Sequence, residues 1–320
     1  MPSHGMLKKE IGMKPGKNTC ARHFSVMVQD KETGDMTIQS VFCSEKSSSS
    51  NAGIAAAGRG KLMLITPDRI CYAGLLGQPH TREFGALTVY VSLGSPMHVM
   101  IGNSGWQSME ICVVQPDTPH QIATVDRRIG AYMIEPESID MTRLPDWLAS
   151  DNAESAAGRA EHLPRLRDGF LSLADGTVHV NTIRSRLDEF LLGETLPARR
   201  LECRMAAVVN RIKRNPSDSV GAEEYADQVD LSFSRFLHLF KDEVGTTFRR
   251  FRAWKRARNF MSYVNTNLKL TDIALETGFP DSSHFSHTVR RYWGLTPRDI
   301  IAGSRSLAVI NDGSFVSAAH

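Results

Sequence analysis

The chain has 320 residues, of which 41% are hydrophobic and 23% charged. That length fits about two domains, and the composition excludes wholesale disorder. The net charge of +3 is unevenly placed: residues 1–197 hold 19 Lys+Arg against 22 Asp+Glu, and residues 198–301 hold 18 against 12. An acidic front and a basic rear are expected where one module meets a polyanion. No run approaches the ~18 apolar residues of a membrane span, and the lysines between Met1 and Lys17 have no apolar stretch of a secretory signal behind them. Cys20, Cys43, Cys71, Cys112 and Cys203 are scattered, with no Cys-x-x-Cys pair. This argues against a disulfide framework and a cysteine-based zinc site, and fits a reducing cytoplasm.

Phe24, Val26 and Val28, then Ile38 and Val41, flank the turn-like Asp30–Asp35 segment and predict a hairpin. Residues 46–60 include Ser47–Ser50 and an Ala/Gly run, and read as flexible. That stretch lacks the Gly-Lys-Ser/Thr ending of a phosphate loop. Short apolar runs follow at Leu62–Ile65, Leu87–Leu93, His98–Ile101, Glu110–Val114, Gln121–Val125 and Ala131–Ile134, punctuated by Gly, Pro, Asn and Asp. Regular short strands of this kind predict a sandwich or barrel.

From Ile139 the period becomes helical. Met141, Leu144, Trp147 and Leu148 share a face, as do Leu163, Leu166, Phe170 and Leu173, and then Leu187, Phe190 and Leu191. These stripes either cover the chain's own sheet or pair with a second copy. After Leu196-Pro197 about seven helices are predicted, almost to residue 300.

Two helix-turn-helix patterns stand out among them. In the second, Ala274 permits close helix approach, Gly278 supplies a φ > 0 turn and Phe279 plugs the angle. Phe285, Val289 and Tyr292 then form an inward stripe, leaving Ser282, Ser283, Ser286, His287 and Arg290 on the opposite face. A hydrogen-bonding, cationic helix face suits major-groove reading. The first pattern stands about 48 residues earlier, with Ala226 and Asp230 at the turn positions and Ser232 as N-cap. Its inward stripe is Phe236, Leu239 and Phe240; Ser234, Leu237, His238 and Lys241 point outward, and Arg235 lies near the edge. Between the two patterns, Phe248, Phe251, Trp254, Ala257, Met261 and Val264 keep one helix face apolar, while six cations crowd residues 249–258. Arg249, Arg250, Arg252, Lys255 and Arg258 are expected at phosphates, together with Arg235, Lys241 and Arg290. Arg256 either joins them or supports the fold.

Residues 198–301 resemble the DNA-binding domain of the AraC/XylS family of bacterial transcription regulators. The resemblance rests on Ile273-Ala274, Gly278-Phe279, Ser283-His284-Phe285-Ser286, Arg290-Arg291 and Gly294-Leu295-Thr296-Pro297. It implies two recognition helices in successive major grooves of double-stranded DNA. Ser234, Leu237 and His238 would be base-facing in the first, and Ser282, Ser283, Ser286 and His287 in the second. Asp230 departs from the usual glycine, Gly221 from a capping serine, Ile301 from an arginine, and Leu237 from a polar residue suited to base contact; a leucine there suits a thymine methyl.

The front region resembles a cupin-like sensor domain, through Gly77–His80, Leu87–Gly94, Val113–His120 and Ile134–Ser138. His80 and His120 fall in its metal motifs, but the paired His-x-His is missing, so no metal and no cofactor are expected and the two histidines are read as structural or effector-contacting.

The expected fold is α+β and multidomain. It comprises a β-barrel or jelly-roll sensor domain over 1–138, a helical linker and dimerisation segment over 139–197, an all-α DNA-binding domain over 198–301, and a flexible tail over 302–320. The implied protein is a cytoplasmic, non-enzymatic transcription regulator, homodimeric, modulated by a small-molecule effector and acting with RNA polymerase. The competing readings are a metal-dependent cupin enzyme with an appended helical domain, and a ligand-binding or interaction protein with weakened DNA binding.

Overall fold

The computed structural model describes residues 22–29, 36–43, 60–149 and 153–311. It divides into two compact units, 1–53 and 54–320. In the first, β1 (Arg22–Gln29) and β2 (Met36–Cys43) pair antiparallel, with Arg22 opposite Cys43 and Gln29 opposite Met36. This is the predicted hairpin; its turn, and the low-complexity run at 47–53, lie outside the described residues.

The second unit opens with β3 (Leu62–Ile65), β4 (Arg69–Leu75), β5 (Leu87–Ser92), β6 (Met97–Ile101), β7 (Gln107–Met109), β8 (Ile111–Val114), β9 (His120–Thr124) and β10 (Arg128–Ile134). A last strand, β11 (Ala308–Asn311), closes it. One sheet has the order β11-β3-β4-β10-β5-β8 and the other β7-β6-β9. Together they are the walls of a jelly-roll-like sandwich that stays open instead of closing into a barrel. Ile65, Ile70, Tyr90, Val114 and Met133 of the larger sheet share an interior with Met97, Val99 and Ile122 of the smaller one.

The opposite face of the larger sheet is covered by helices α1 (Asp146–Ala149), α2 (Ala153–Ala174), α3 (Val180–Ile183) and α4 (Leu187–Leu192). Leu166, Phe170, Leu173, Leu187 and Leu191 pack there against Leu64, Val89, Val91 and Tyr132. The predicted apolar stripes therefore cover the chain's own sheet. A sheet buried on both faces has apolar residues at consecutive positions, which is why Leu87–Ser92 is buried throughout.

Seven helices complete the unit: α5 (Cys203–Arg214), α6 (Ala222–Gln228), α7 (Phe233–Val244), α8 (Phe248–Asn259), α9 (Leu270–Glu276), α10 (Ser282–Trp293) and α11 (Pro297–Gly303). They divide between two cores. Met205, Val208, Tyr225, Phe236, Phe240, Phe248 and Phe251 form one core of their own. Trp254, Phe260, Phe285, Val289, Tyr292 and Trp293 instead join the interior of the sandwich. The chain end corrects an expectation: residues 308–311, read as part of a flexible tail, pair parallel with β3, Ala308 opposite Leu62 and Asn311 opposite Ile65. Residues 312–320 lie outside the described residues.

Candidate nucleic-acid interface

Each helix-turn-helix is set by a left-handed turn and a capped second helix. In the second unit Gly278 has φ 80°, and a Cβ there would stand 2.6 Å from the Ser217 carbonyl oxygen. Glycine is thus required both by conformation and by the close passage of the 217 backbone. Phe279 is buried beside it. Asp281 caps α10 by accepting from the His284 amide at 2.8 Å. Phe285, Val289 and Tyr292 are buried. Ser282, Ser283, His287 and Arg290 are exposed, and Ser286 is half-buried.

The first unit repeats this arrangement. Asp230 adopts φ 54° where the second unit has glycine, a conformation aspartate tolerates at modest cost. Ser232 caps α7 by accepting from the Arg235 amide. Ala226, Phe236 and Phe240 are buried, as is Ala274 in the second unit. Ser234, Arg235, His238 and Lys241 are exposed, while Leu237 and Leu239 are half-buried.

The cations of α8 divide in a way the sequence reading did not foresee. Arg249 is exposed. Among the described residues it forms no ion pair, nor do Arg235, Lys241 and Arg290, so these four remain available to a polyanion. Four other phosphate candidates are engaged within the protein. Arg250 pairs with Glu83 and lies 3.4 Å from Asp117. Arg252 donates to the carbonyls of Asp218 and Val220. Lys255, only 3% exposed, reaches Glu135 at 2.5 Å and Glu137 at 2.6 Å. Arg258, equally buried, lies 2.6 Å from Glu135 and donates to the Thr66 carbonyl. The expectation of phosphate contact is withdrawn for Arg250, Arg252, Lys255 and Arg258, because each already has a partner and two have no path to solvent. Arg256 is half-buried and donates to the Pro216 carbonyl at 3.3 Å and the Asp218 carbonyl at 2.9 Å. With Arg252 it holds the loop preceding α6, and burial pushes its pKa down to about 10.

The acidic partners were missed in the sequence. Burial pushes the Glu135 carboxyl up, but Lys255 and Arg258 outweigh burial and hold it below the usual carboxylate range. Trp254 donates its indole N–H to the same group at 2.9 Å. Asp68 takes an ion pair from Lys213, and Glu83 takes Arg291 at 3.0 Å as well as Arg250. The visible signal was a pair of glutamates, Glu135 and Glu137, directly after an apolar strand.

His80 and His120 do not come together. His80 is exposed. His120 is 1% exposed, with Nε2 2.8 Å from the Tyr90 hydroxyl and Nδ1 2.8 Å from the Thr118 carbonyl. Burial pushes its pKa down to about 3, so the ring is neutral. Backbone hydrogen bonds run both ways between His120 and Arg82. Arg82 is 6% exposed, its Nε and Nη2 have no hydrogen-bond partner, and among the described residues it forms no ion pair. The next residue, Glu83, is the one that grips Arg250 and Arg291. Phe84 then packs on Trp293, ring centroids 5.0 Å apart, and on Trp254 at 5.9 Å.

Two capped, turn-matched units with exposed polar second helices define a double helix-turn-helix module. Residues 225–302 match the helix-turn-helix domain family. The C-terminal region is similar to the HTH-type transcriptional activator RhaS of Escherichia coli, 36% identical over 90 residues. The aligned stretch is 27% of this chain and 32% of RhaS, so the chain spans about a third of the length of the curated relatives it matches. Among solved structures, unsaturated fatty acid-bound ToxT from Vibrio cholerae aligns over 75% of this chain and 97% of its own, with TM-score 0.42 and 10% identity. An AraC-type transcriptional regulator from Chromobacterium violaceum aligns over 32% and 91%, with TM-score 0.30 and 25% identity. No helix of the described residues is long and apolar enough to cross a membrane.

Proposed function

We propose that this protein is a cytoplasmic, sequence-specific regulator of transcription that binds double-stranded DNA through α7 and α10 and carries out no chemical reaction. The observation that carries this is the duplication: both second helices bury an aromatic stripe and expose hydrogen-bonding side chains. Ser234, Leu237 and His238, and Ser282, Ser283, Ser286 and His287, face bases, while Arg235, Lys241, Arg249 and Arg290 neutralise phosphates. In domain terms, 1–138 is the sensor, 139–197 the linker, and 198–301 the DNA-binding domain. Pairing of two copies through residues outside that domain adds a second half-site, and RNA polymerase is the downstream partner.

A small-molecule effector acts from the front domain. The support is Arg82: a buried guanidinium without a carboxylate is costly, and its neighbours Glu83 and Phe84 touch α8 and α10. His120 is engaged at both ring nitrogens, which leaves Arg82 as the interior group with unused donors; His80, at the surface, is the lesser candidate.

Selection of bound fragments from genomic DNA tests the function. A recurring motif is expected, and His238→Ala and His287→Ala will each relax it at different base pairs. Recovery of fragments without a shared motif refutes sequence-specific reading.

A further inference from the structure

α7 and α10 are built to one plan and depart from it at two outward positions. Each has 12 residues, an N-cap side chain accepting from the amide three residues on, and a left-handed glycine at its C-cap, Gly245 at φ 85° and Gly294 at φ 73°. From the caps Ser232 and Asp281 to Lys241 and Arg290 their exposure runs in step, buried at Phe236 and Phe285 and again at Phe240 and Val289. The outward chemistry is matched as well: Ser234 with Ser283, His238 with His287, Lys241 with Arg290. It parts at the first helical residue and one turn later, where α10 has Ser282 and Ser286 but α7 has Phe233 and Leu237. Residues at i and i+4 stand one above the other on a helix, so these two exchanges make a single apolar flank beside the Ser234–His238 row.

The packing of α7 does not account for that flank. Leu237 rests partly on the core of the first unit, but Phe233 is 45% exposed, the one aromatic among the large apolar side chains that stand exposed in the described residues. A ring left in water forgoes the burial that stabilises other aromatic side chains, and that free energy is available to a partner. The surroundings say which partner. Arg235 and Lys241 are exposed beside the flank, and the flank lies at the N-terminal end of the helix, the end that meets base edges when a recognition helix enters the major groove. An occupant anionic at its margin and apolar at its floor is duplex DNA containing thymine, whose C5 methyl is the apolar group of the major groove.

We propose that α7 reads its segment of the DNA site through thymine methyl groups, with Phe233 and Leu237 as the specificity-determining pair. α10 places serines at the same two positions, and a serine hydroxyl serves several base edges, so its segment is read there by hydrogen bonds and with less discrimination. This rests on the regulator reading above and adds to it the bases that the first unit selects.

The test uses the full chain and the motif recovered by fragment selection. Base pairs whose preference is relaxed by His238→Ala define the α7 segment, and those relaxed by His287→Ala the α10 segment. Duplexes with deoxyuridine for thymine in one segment at a time keep the hydrogen-bonding groups of the base and lose only the methyl; the α10 arm also controls for altered duplex stiffness. By fluorescence anisotropy, uracil in the α7 segment is expected to weaken binding about fourfold for each contacted thymine, the scale of one buried methyl group, and uracil in the α10 segment by less than about twofold. Phe233→Ser, at an exposed position, will keep the urea midpoint and reduce the α7 penalty; adding Leu237→Ser will abolish it. An α7 segment without thymine, equal penalties in both segments or in neither, or a penalty undiminished in Phe233→Ser overturns the proposal and leaves sequence-specific binding in place. Unchanged DNA binding by Phe233→Ser with loss of a dimer in sedimentation assigns the flank to a second copy and overturns it too. Failure to recover any motif refutes the regulator reading itself, and the proposal with it.

Discussion

Replacing Glu135 by glutamine removes one negative charge from a buried cluster that is balanced as it stands. Glu135 and Glu137 face Lys255 and Arg258, all four no more than 5% exposed. Lys255 lies 2.5 Å and Arg258 2.6 Å from Glu135. Glu135→Gln leaves a net buried cation, and breaking a buried pair from one side costs about 3–5 kcal/mol. Lys255→Met leaves the opposite imbalance at similar cost. The double variant leaves one carboxylate, Glu137, and one cation, Arg258, so the net charge of the cluster is again zero and its loss will be smaller than the sum by about 1–3 kcal/mol. Urea unfolding of the four proteins, followed by far-ultraviolet circular dichroism, measures this. The pH dependence gives a second check. Since the Glu135 carboxyl is held below its ordinary value, its stabilisation is present above the unfolded-state pKa and is lost as pH falls through the folded-state one. The gap between the native chain and Glu135→Gln will therefore narrow below about pH 4.5. Additive single losses, or a Glu135→Gln chain within about 0.5 kcal/mol of the native one, refute the reasoning.

Neutralising Arg249 or Arg290 will reduce the slope of log binding constant against log salt by about 0.9 each. Arg258→Gln will leave the slope unchanged while lowering stability, and an equal change in slope for all three would remove the distinction between exposed and engaged cations. For His120, pushed down to about 3 by burial, the unfolded chain binds a proton between that value and about 6.5 that the folded chain does not. Stability should fall by up to ~1.4 kcal/mol per pH unit across that window as pH drops, and His120→Gln should flatten the decline in denaturant titrations at pH 7 and pH 5. Asp230→Gly, at φ 54°, should stabilise the first unit by about 1 kcal/mol, read as a higher urea midpoint; a lower midpoint would mean that the aspartate side chain supports the turn.

Much of the helix-turn-helix module was legible because its constraints are local. A glycine four residues after a small alanine, a cap and a 3.5-residue aromatic stripe are all written in neighbouring positions, and Ala274, Gly278, Phe285 and Val289 stand as those rules require. The sandwich was legible where strands were bounded by turn residues. It failed at β4, where Gly74 lies inside Arg69–Leu75 and reads as punctuation, and at β11, whose only support is distant pairing with β3. The roles of the α8 cations were not legible at all. Arg249 and Arg258 are alike in sequence terms, and what separates them is Glu135, 123 residues from Arg258 along the chain (258 − 135). Nothing local reports a partner at that separation.

That division alters what the basic rear half means. Its excess of six charges (18 against 12) looked like a surface for DNA, yet Arg250, Lys255, Arg258, Lys213 and Arg291 all answer acids of the front domain. The same helix therefore serves two electrostatic tasks, one turned to solvent at Arg249 and one turned inward at Lys255. The inward task is unequal between the two units. The second shares the sandwich interior through Phe285, Val289 and Trp293, whereas the first keeps its own core of Phe236, Phe240 and Phe248. Tyr292 of α10 also accepts the Glu83 amide through its backbone, fixing that helix against the residue that follows Arg82. The first unit meets the front domain across Asp117, Thr246 and Arg250. The sandwich touches α10 through packed aromatic rings, whereas the first unit meets the front domain through that polar contact and the Lys213–Asp68 ion pair of α5. On the proposed reading, α7, which lies outside the sandwich core, is the recognition helix whose angle is easier to change.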